Sequence, residues 1–220
     1  TGPKKNASWT IIRFSPHQFE GLTDHCPSVK RISLACWIGQ QDAKYASKTL
    51  ENAILLGVEP DYHHISNSLI NMGRFFSAID NMQALPVCII DFEIRNKLNL
   101  PKDCIGEIIT VDNRQLRIIG VLEKRPELSI IGGGEDRLYV YIPFNFGLRL
   151  RNTPWIFAQA ESKQTEITEE AQAEMRFFLR KTRQLKPGEP DTFRIESIKS
   201  HIDKFSEISF MITLVAGSVV

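Results

Sequence analysis

The sequence predicts an α+β fold, on three observations. Short apolar runs bounded by turn residues recur along the chain, as half-buried strands require. Two of them, over 108–111 and 115–122, flank the polar connection Asp112-Asn113-Arg114 and read as a hairpin. The last third reads as strand, long helix, strand. An alternating run covers 155–160, and residues 166–185 then carry Ile167, Ala171, Met175, Phe178, Leu179, Thr182 and Leu185 at helical spacing. Pro187-Gly188 stops that helix, and 192–198 returns as a strand. Such a split β-α-β unit buries one helix face against a sheet.

The remaining elements follow in chain order. Residues 17–26 form a helix with Phe19, Leu22 and Cys26 on one side, and 29–38 form a strand. The strand over 53–56 ends at Val58-Glu59-Pro60-Asp61, because Pro60 fixes its own backbone angle and holds Glu59 extended. Asp61 caps a short helix through 63–68, and Gly73 supplies a positive backbone angle that turns Arg74, Phe75 and Phe76 back onto the sheet. Residues 86–90 are a buried strand, Asp91 caps a helix ending at Leu98, and 138–142 is another strand. The first third thus supplies a second split β-α-β unit.

Composition narrows the function. A chain of 220 residues accommodates one large domain or two lobes, and 42% hydrophobic with 24% charged residues is ordinary globular usage. The net charge of +1, with both signs interspersed, argues against a nucleic-acid surface. The clusters Arg149 to Arg151 and Arg180 to Arg183 read as solvated helix ends. Cys26, Cys36, Cys88 and Cys104 show neither Cys-x-x-Cys nor metal-site spacing, and Cys36 and Cys88 fit as small buried residues. A Cys88–Cys104 disulfide is the alternative that an oxidising compartment allows.

Catalytic signals are thin. Gly132-Gly133-Gly134 lacks the Lys-Ser or Lys-Thr of a phosphate loop and is followed by Glu135-Asp136, so it reads as a flexible connection. His63 and His64 are adjacent, about 100° apart on a helix, and do not clamp one metal ion. Neither a Gly-x-Ser-x-Gly elbow nor a nucleotide-binding motif occurs. No catalytic, cofactor-binding or metal-binding residue is assigned, and no cofactor is expected.

The composition turns almost wholly apolar over 201–220. This run is either a buried C-terminal helix or the first turns of a membrane helix cut short of the about 20 residues a span needs. Ala216, Gly217 and Ser218 within it are typical of helix packing in membranes. At the other end, Thr1-Gly2-Pro3-Lys4-Lys5 reads as an excised start or a cloning remnant.

One segment is distinctive. Gly57-Val58-Glu59-Pro60-Asp61-Tyr62 leads to Gly73-Arg74-Phe75-Phe76 and Asp80, followed by an apolar strand. Gly106 in Ile105 to Ile109, Gly120 in Leu116 to Leu122 and Pro143 after Val140-Tyr141-Ile142 extend the pattern. Together they resemble the MacB-like periplasmic core domain of ABC-transporter permeases. One departure is Asp191-Thr192-Phe193, where relatives often show Asp-Asp-Phe.

The resemblance implies a porter-like lobe of two split β-α-β units, 1–73 with 137–200, and a smaller, β-rich inserted lobe, 74–136. It makes 201–220 a stalk and the start of a truncated membrane helix, with Phe205, Ile208, Phe210, Met211 and Ile212 coupling to the bilayer. It further implies a non-catalytic domain on the outer side of the cell membrane that transmits ATP-driven motion to move or release a substrate, by efflux or by lipoprotein or peptide export. The implied partners are a cytoplasmic ABC ATPase, a second permease copy, and a periplasmic adaptor or outer-membrane duct. The rival expectations are a free-standing extracytoplasmic binding module and a soluble enzyme.

Overall fold

The computed structural model describes residues 13–124 and 137–197. Contacts divide the chain into two compact units: Arg13–His17 with Lys30–Glu161, and Gln18–Val29 with the described residues from Ser162 onward. The described residues mix eight strands with six α-helices, so the α+β expectation holds.

The strands are β1 (Val29–Tyr45), β2 (Lys48–Val58), β3 (Ile70–Gly73), β4 (Val87–Ile90), β5 (Ile108–Val111), β6 (Arg114–Leu122), β7 (Tyr139–Pro143) and β8 (Trp155–Ser162). They run in the order β2-β7-β4-β6-β5-β1-β8, with β3 on β6, and a further β2–β1 pairing closes the path on itself. The β2–β7 and β4–β6 pairs are parallel, whereas β4 and β7 pair antiparallel through Ile89 with Tyr141 and Ile90 with Val140. One sheet therefore takes strands from both segments expected to form separate lobes.

Burial follows from each strand's place. Cys88, Ile89 and Ile90 of β4 are all inaccessible, the continuous apolar run of a strand covered on both faces. In β5 and β6 the pattern alternates: Ile109, Val111, Leu116 and Ile118 are buried while Ile108 and Arg117 are exposed. A central cluster joins Ala35, Leu56, Val58, Tyr62, Phe76, Ile89, Leu122 and Tyr141. The hairpin forms as expected, with Val111 opposite Arg114. Asp112 and Asn113 both adopt left-handed angles, φ 52 and 59, the requirement of a type I′ turn. Asn113→Gly is expected to stabilise the domain by about 0.5 kcal/mol by relieving that conformation. A shift of the urea midpoint to higher concentration checks it.

The helices are α1 (Leu22–His25), α2 (Tyr62–Ile65), α3 (Ala78–Met82), α4 (Phe92–Lys97), α5 (Phe144–Leu150) and α6 (Thr168–Thr182). Several differ from expectation. The helix over 17–26 is a 3-10 turn, Pro16–Phe19, and α1, parted at Gly21 with φ 69. Phe19, Leu22 and Cys26 are nevertheless buried. The strand expected to stop at Ile38 continues to Tyr45, through bulges between Trp37 and Gly39 and between Gln41 and Ala43.

Neither Asp61 nor Asp91 caps its helix through its side chain. Asp91 instead accepts the Tyr139 amide on Oδ2 at 2.7 Å. Residues 192–197 form no strand. Arg183 Nη1 donates to the Thr192 carbonyl at 3.0 Å, taking an acceptor that strand pairing would use.

Cys26, Cys36, Cys88 and Cys104 are buried and free, without the Cys88–Cys104 bridge. The apolar run with Phe205, Ile208, Phe210, Met211 and Ile212, and the Gly132-Gly133-Gly134 segment, lie outside the described residues. Among those described, no helix is long and apolar enough to cross a membrane.

Candidate functional site

The structure gathers most of the distinctive segment into one latch. Gly73 closes β3 with φ 78, and a β-carbon there would lie 2.2 Å from the Ile119 carbonyl oxygen of β6. The Arg74 amide donates to that same oxygen at 3.0 Å. Gly120 serves the same crossing from the other side, since its β-carbon would stand 2.5 Å from the Arg74 carbonyl oxygen. Two backbones approach this closely only where neither carries a side chain.

Beyond the crossing, Phe76 drops into the core at 4% exposure and Phe75 packs on its margin. Ser77 and Asp80 then form a reciprocal cap on α3. The Asp80 amide donates to Ser77 Oγ at 3.2 Å, and the Ser77 amide donates to Asp80 Oδ2 at 2.7 Å. The Ser77 hydroxyl donates to the same carboxylate at 2.7 Å. Arg74 closes the latch with Nη1 on Oδ2 at 2.5 Å and Nη2 on Oδ1 at 3.1 Å. The Arg74 pairing and the Ser77 donors hold the Asp80 carboxyl down to about 2 against the opposing effect of burial.

A second cluster surrounds Gly57. A β-carbon there would meet Cys36 Sγ at 2.5 Å, and one on Gly147 of α5 would meet it at 2.8 Å. Burial pushes the Cys36 thiol up to about 12. Glu59 accepts the Leu34 amide at 2.6 Å, and burial raises its carboxyl. His63 Nδ1 bonds the Pro60 carbonyl at 2.7 Å, while its ring stacks 4.4 Å from Phe75 and lies 3.8 Å from His64. Desolvation lowers His63, so its ring favours the neutral form. Tyr62 is buried 6.1 Å from Tyr141, and Pro143 pairs with Val58 at the end of β7. Gly106, φ 93, donates its amide to the Ile118 carbonyl at 2.8 Å.

In the unit containing α6, Arg176, Arg180 and Arg183 recur at i, i+4 and i+7 and share a face. Arg176 Nε reaches Asp191 Oδ2 at 2.6 Å, and Arg180 Nη1 reaches Oδ1 at 2.5 Å. Asp191 is 8% exposed. Arg180 also donates to the carbonyls of Glu189 and Lys186, and Arg183 to Thr192 Oγ1 at 2.8 Å, with its guanidinium 5.7 Å from the Phe193 ring. Arg180 and Arg183 therefore bind the following segment rather than forming a solvated helix end. Their spacing was readable in the sequence, as was Ser77 three residues before Asp80. Cys36 facing Gly57 and Gly147 was not.

These arrangements hold backbone in place; the polar groups of the latch are spent on one another. Among the described residues no group of three or more His, Cys, Asp or Glu is placed to hold a metal ion.

Residues 3–176 match the family described as the MacB-like periplasmic core domain. The chain belongs to that family. This MacB-like core domain is 31% identical over 126 residues to the macrolide export ATP-binding/permease protein MacB of Bdellovibrio bacteriovorus, covering 56% of the chain and 18% of the relative. It is 30% identical over 115 residues to MacB of Haemophilus ducreyi, covering 52% and 16%. The chain thus spans less than a fifth of the length of these relatives.

Among solved structures, the extracellular domain of the ABC-type transporter YknZ from Gram-positive bacteria matches with a TM-score of 0.67 at 18% identity, covering 84% of this chain and 92% of that one. The periplasmic region of MacB from Actinobacillus actinomycetemcomitans matches with a TM-score of 0.63 at 15% identity, covering 76% and 73%. At these identities the likeness concerns the fold. Family membership makes the chain the periplasmic core domain of a MacB-like ABC-transporter permease, an extracytoplasmic part of a membrane protein.

Proposed function

We propose that this domain transmits ATP-driven motion of its permease to the outer side of the membrane, where it moves or releases a substrate by efflux or by lipoprotein or peptide export. The clamp of Arg176, Arg180 and Arg183 on Asp191 and Thr192 supports this reading, because it fastens to α6 the segment that precedes the apolar run. A buried carboxylate with two arginine partners resists separation: losing the better shielded Arg180 is expected to cost about 1–3 kcal/mol, while solvent screens the half-exposed Arg176. In this proposal 201–220 is a stalk entering the bilayer, with Phe205, Ile208, Phe210, Met211 and Ile212 at the membrane. Residues 1–73 with 137–200 form the porter-like lobe and 74–136 the inserted one. A cytoplasmic ABC ATPase, a second permease copy and an adaptor or outer-membrane duct are the partners.

The test restores the flanking membrane segments and the ATPase. Spin labels go on a cysteine introduced at Ser47, an exposed position, in both copies. ATP is expected to shift the distance between the labels in the native sequence. Glycine insertion between Ile198 and Phe210, or Asp191→Ala, is expected to remove that shift and the transport activity together. An unchanged shift with unchanged transport in the insertion variant would defeat the proposal.

A further inference from the structure

Four rings form a ladder from the core to the surface beside the latch. Phe76 is buried, Phe75 meets it edge-on at 5.1 Å, His63 of α2 stacks on Phe75 at 4.4 Å, and the exposed His64 lies 3.8 Å from His63. The outer two rungs are the side chains whose charge changes between about pH 5 and 8. Adjacent helical residues diverge by about 100°, so the approach of these two rings is set by their side-chain angles. Neutral rings tolerate it, whereas two charged ones at this distance repel each other.

The surroundings offer a charged pair little compensation. His63 Nδ1 already donates to the Pro60 carbonyl at 2.7 Å. Burial lowers His63 against the pull of that carbonyl, and His64 and Arg31 of β1 act in the same direction as burial, with Asp61 opposing them. On the His64 side stands Glu161 of β8, which is engaged by Lys30 at 2.7 Å and Arg31 at 2.8 Å. From the latch comes Phe75, while Arg74 spends its guanidinium on Asp80.

We propose that the His63–His64 pair is an acid-sensitive clasp: with neutral rings it holds α2 against Phe75, and proton uptake separates the rings and frees α2 from the latch. A group whose protonated form is penalised in the fold binds fewer protons there than in the open chain. The clasp is therefore intact above the ordinary histidine value of about 6.5 and weakens as pH falls below it. Asp80, at about 2, keeps its charge throughout this window.

The test is amide hydrogen exchange on the full 220-residue chain at about pH 7.5 and about pH 5, corrected for the intrinsic effect of pH on exchange. The Ser66 amide, which donates to the Tyr62 carbonyl at 2.9 Å, reports on α2, and the Ile118 amide, which donates to the Glu107 carbonyl at 2.8 Å, reports on the sheet. Protection at Ser66 is expected to fall on the order of tenfold at the lower pH while that at Ile118 holds. His63→Phe, which keeps a ring on Phe75, and His64→Gln, at an exposed position, are each expected to abolish most of that fall. Ser66 protection that is the same at both pH values overturns the proposal, as does protection that rises in acid because the Phe75 face holds the cation. Equal losses at Ser66 and Ile118 overturn it too, since the whole sheet then opens. Glu59, which burial raises, also gains protons toward acid pH, so a fall that persists in both histidine variants belongs to it or to another carboxylate and defeats the clasp.

Discussion

Gly73→Ala is expected to cost the domain about 3–5 kcal/mol, a large share of the about 5–15 kcal/mol by which folded domains are stable. Two effects add. The left-handed backbone at φ 78 costs an alanine about 1–2 kcal/mol. The new methyl group would also stand 2.2 Å from the Ile119 carbonyl oxygen and 2.7 Å from Ile105 Cδ1, so β3 must move away from β6. Gly188 separates these effects: its φ is 83, but nothing lies within 4 Å of where a β-carbon would sit. Gly188→Ala should therefore show the backbone cost alone. Urea unfolding of both variants measures the difference, and equal losses would show that the β3–β6 crossing has room to spare.

Asp80→Asn is expected to cost about 2 kcal/mol at neutral pH and to remove an acid-sensitive part of the stability. The Asp80 carboxyl is held at about 2 in the fold, below the value of about 3.9 it takes in an unfolded chain. A depressed carboxylate contributes fully above the unfolded value and loses its contribution as pH falls through the folded one. The native protein should therefore weaken between about pH 4 and pH 2 through this group, by on the order of 2 kcal/mol. Part of that gain is screened, because Arg74 is 54% exposed on its side chain. Unfolding free energies across that range, for the native chain and for Asp80→Asn, provide the check. Parallel acid limbs in the two proteins would assign the sensitivity to other carboxylates.

What could be read from the sequence was chiefly what is local. The β5–β6 hairpin is specified by its own alternation and by Asp112-Asn113, and α6 by a long apolar stripe, so both appear near their expected bounds. The extension of β1 through Gly39-Gln40-Gln41 has no such signature. Those polar residues are strand because β2, the returning arm of the same long hairpin, pairs with them, Gln41 with Ala53 and Gly39 with Leu55. The short helices α3 and α5 are likewise too brief to show a period. The expected strand after α6 failed for a different reason: its apolar pattern was sound, but three arginines on the helix took hold of Asp191 and Thr192.

The candidate latch was visible as a set of residue types, and Gly73 with a positive angle was readable. That Gly120 meets Arg74 across the crossing, and that Gly57 and Gly147 both flank Cys36, depends on which strands become neighbours.

The fastening of β1 to both β2 and β5 has a mechanical consequence. Ala43 and Lys44 are bound along both margins of the strand, to Leu50 and Thr49 on one side and to Val111 and Thr110 on the other. Sliding β1 by one position would tear two ladders at once and turn its inward side chains outward. A belt buckled in this way resists slippage between neighbouring strands.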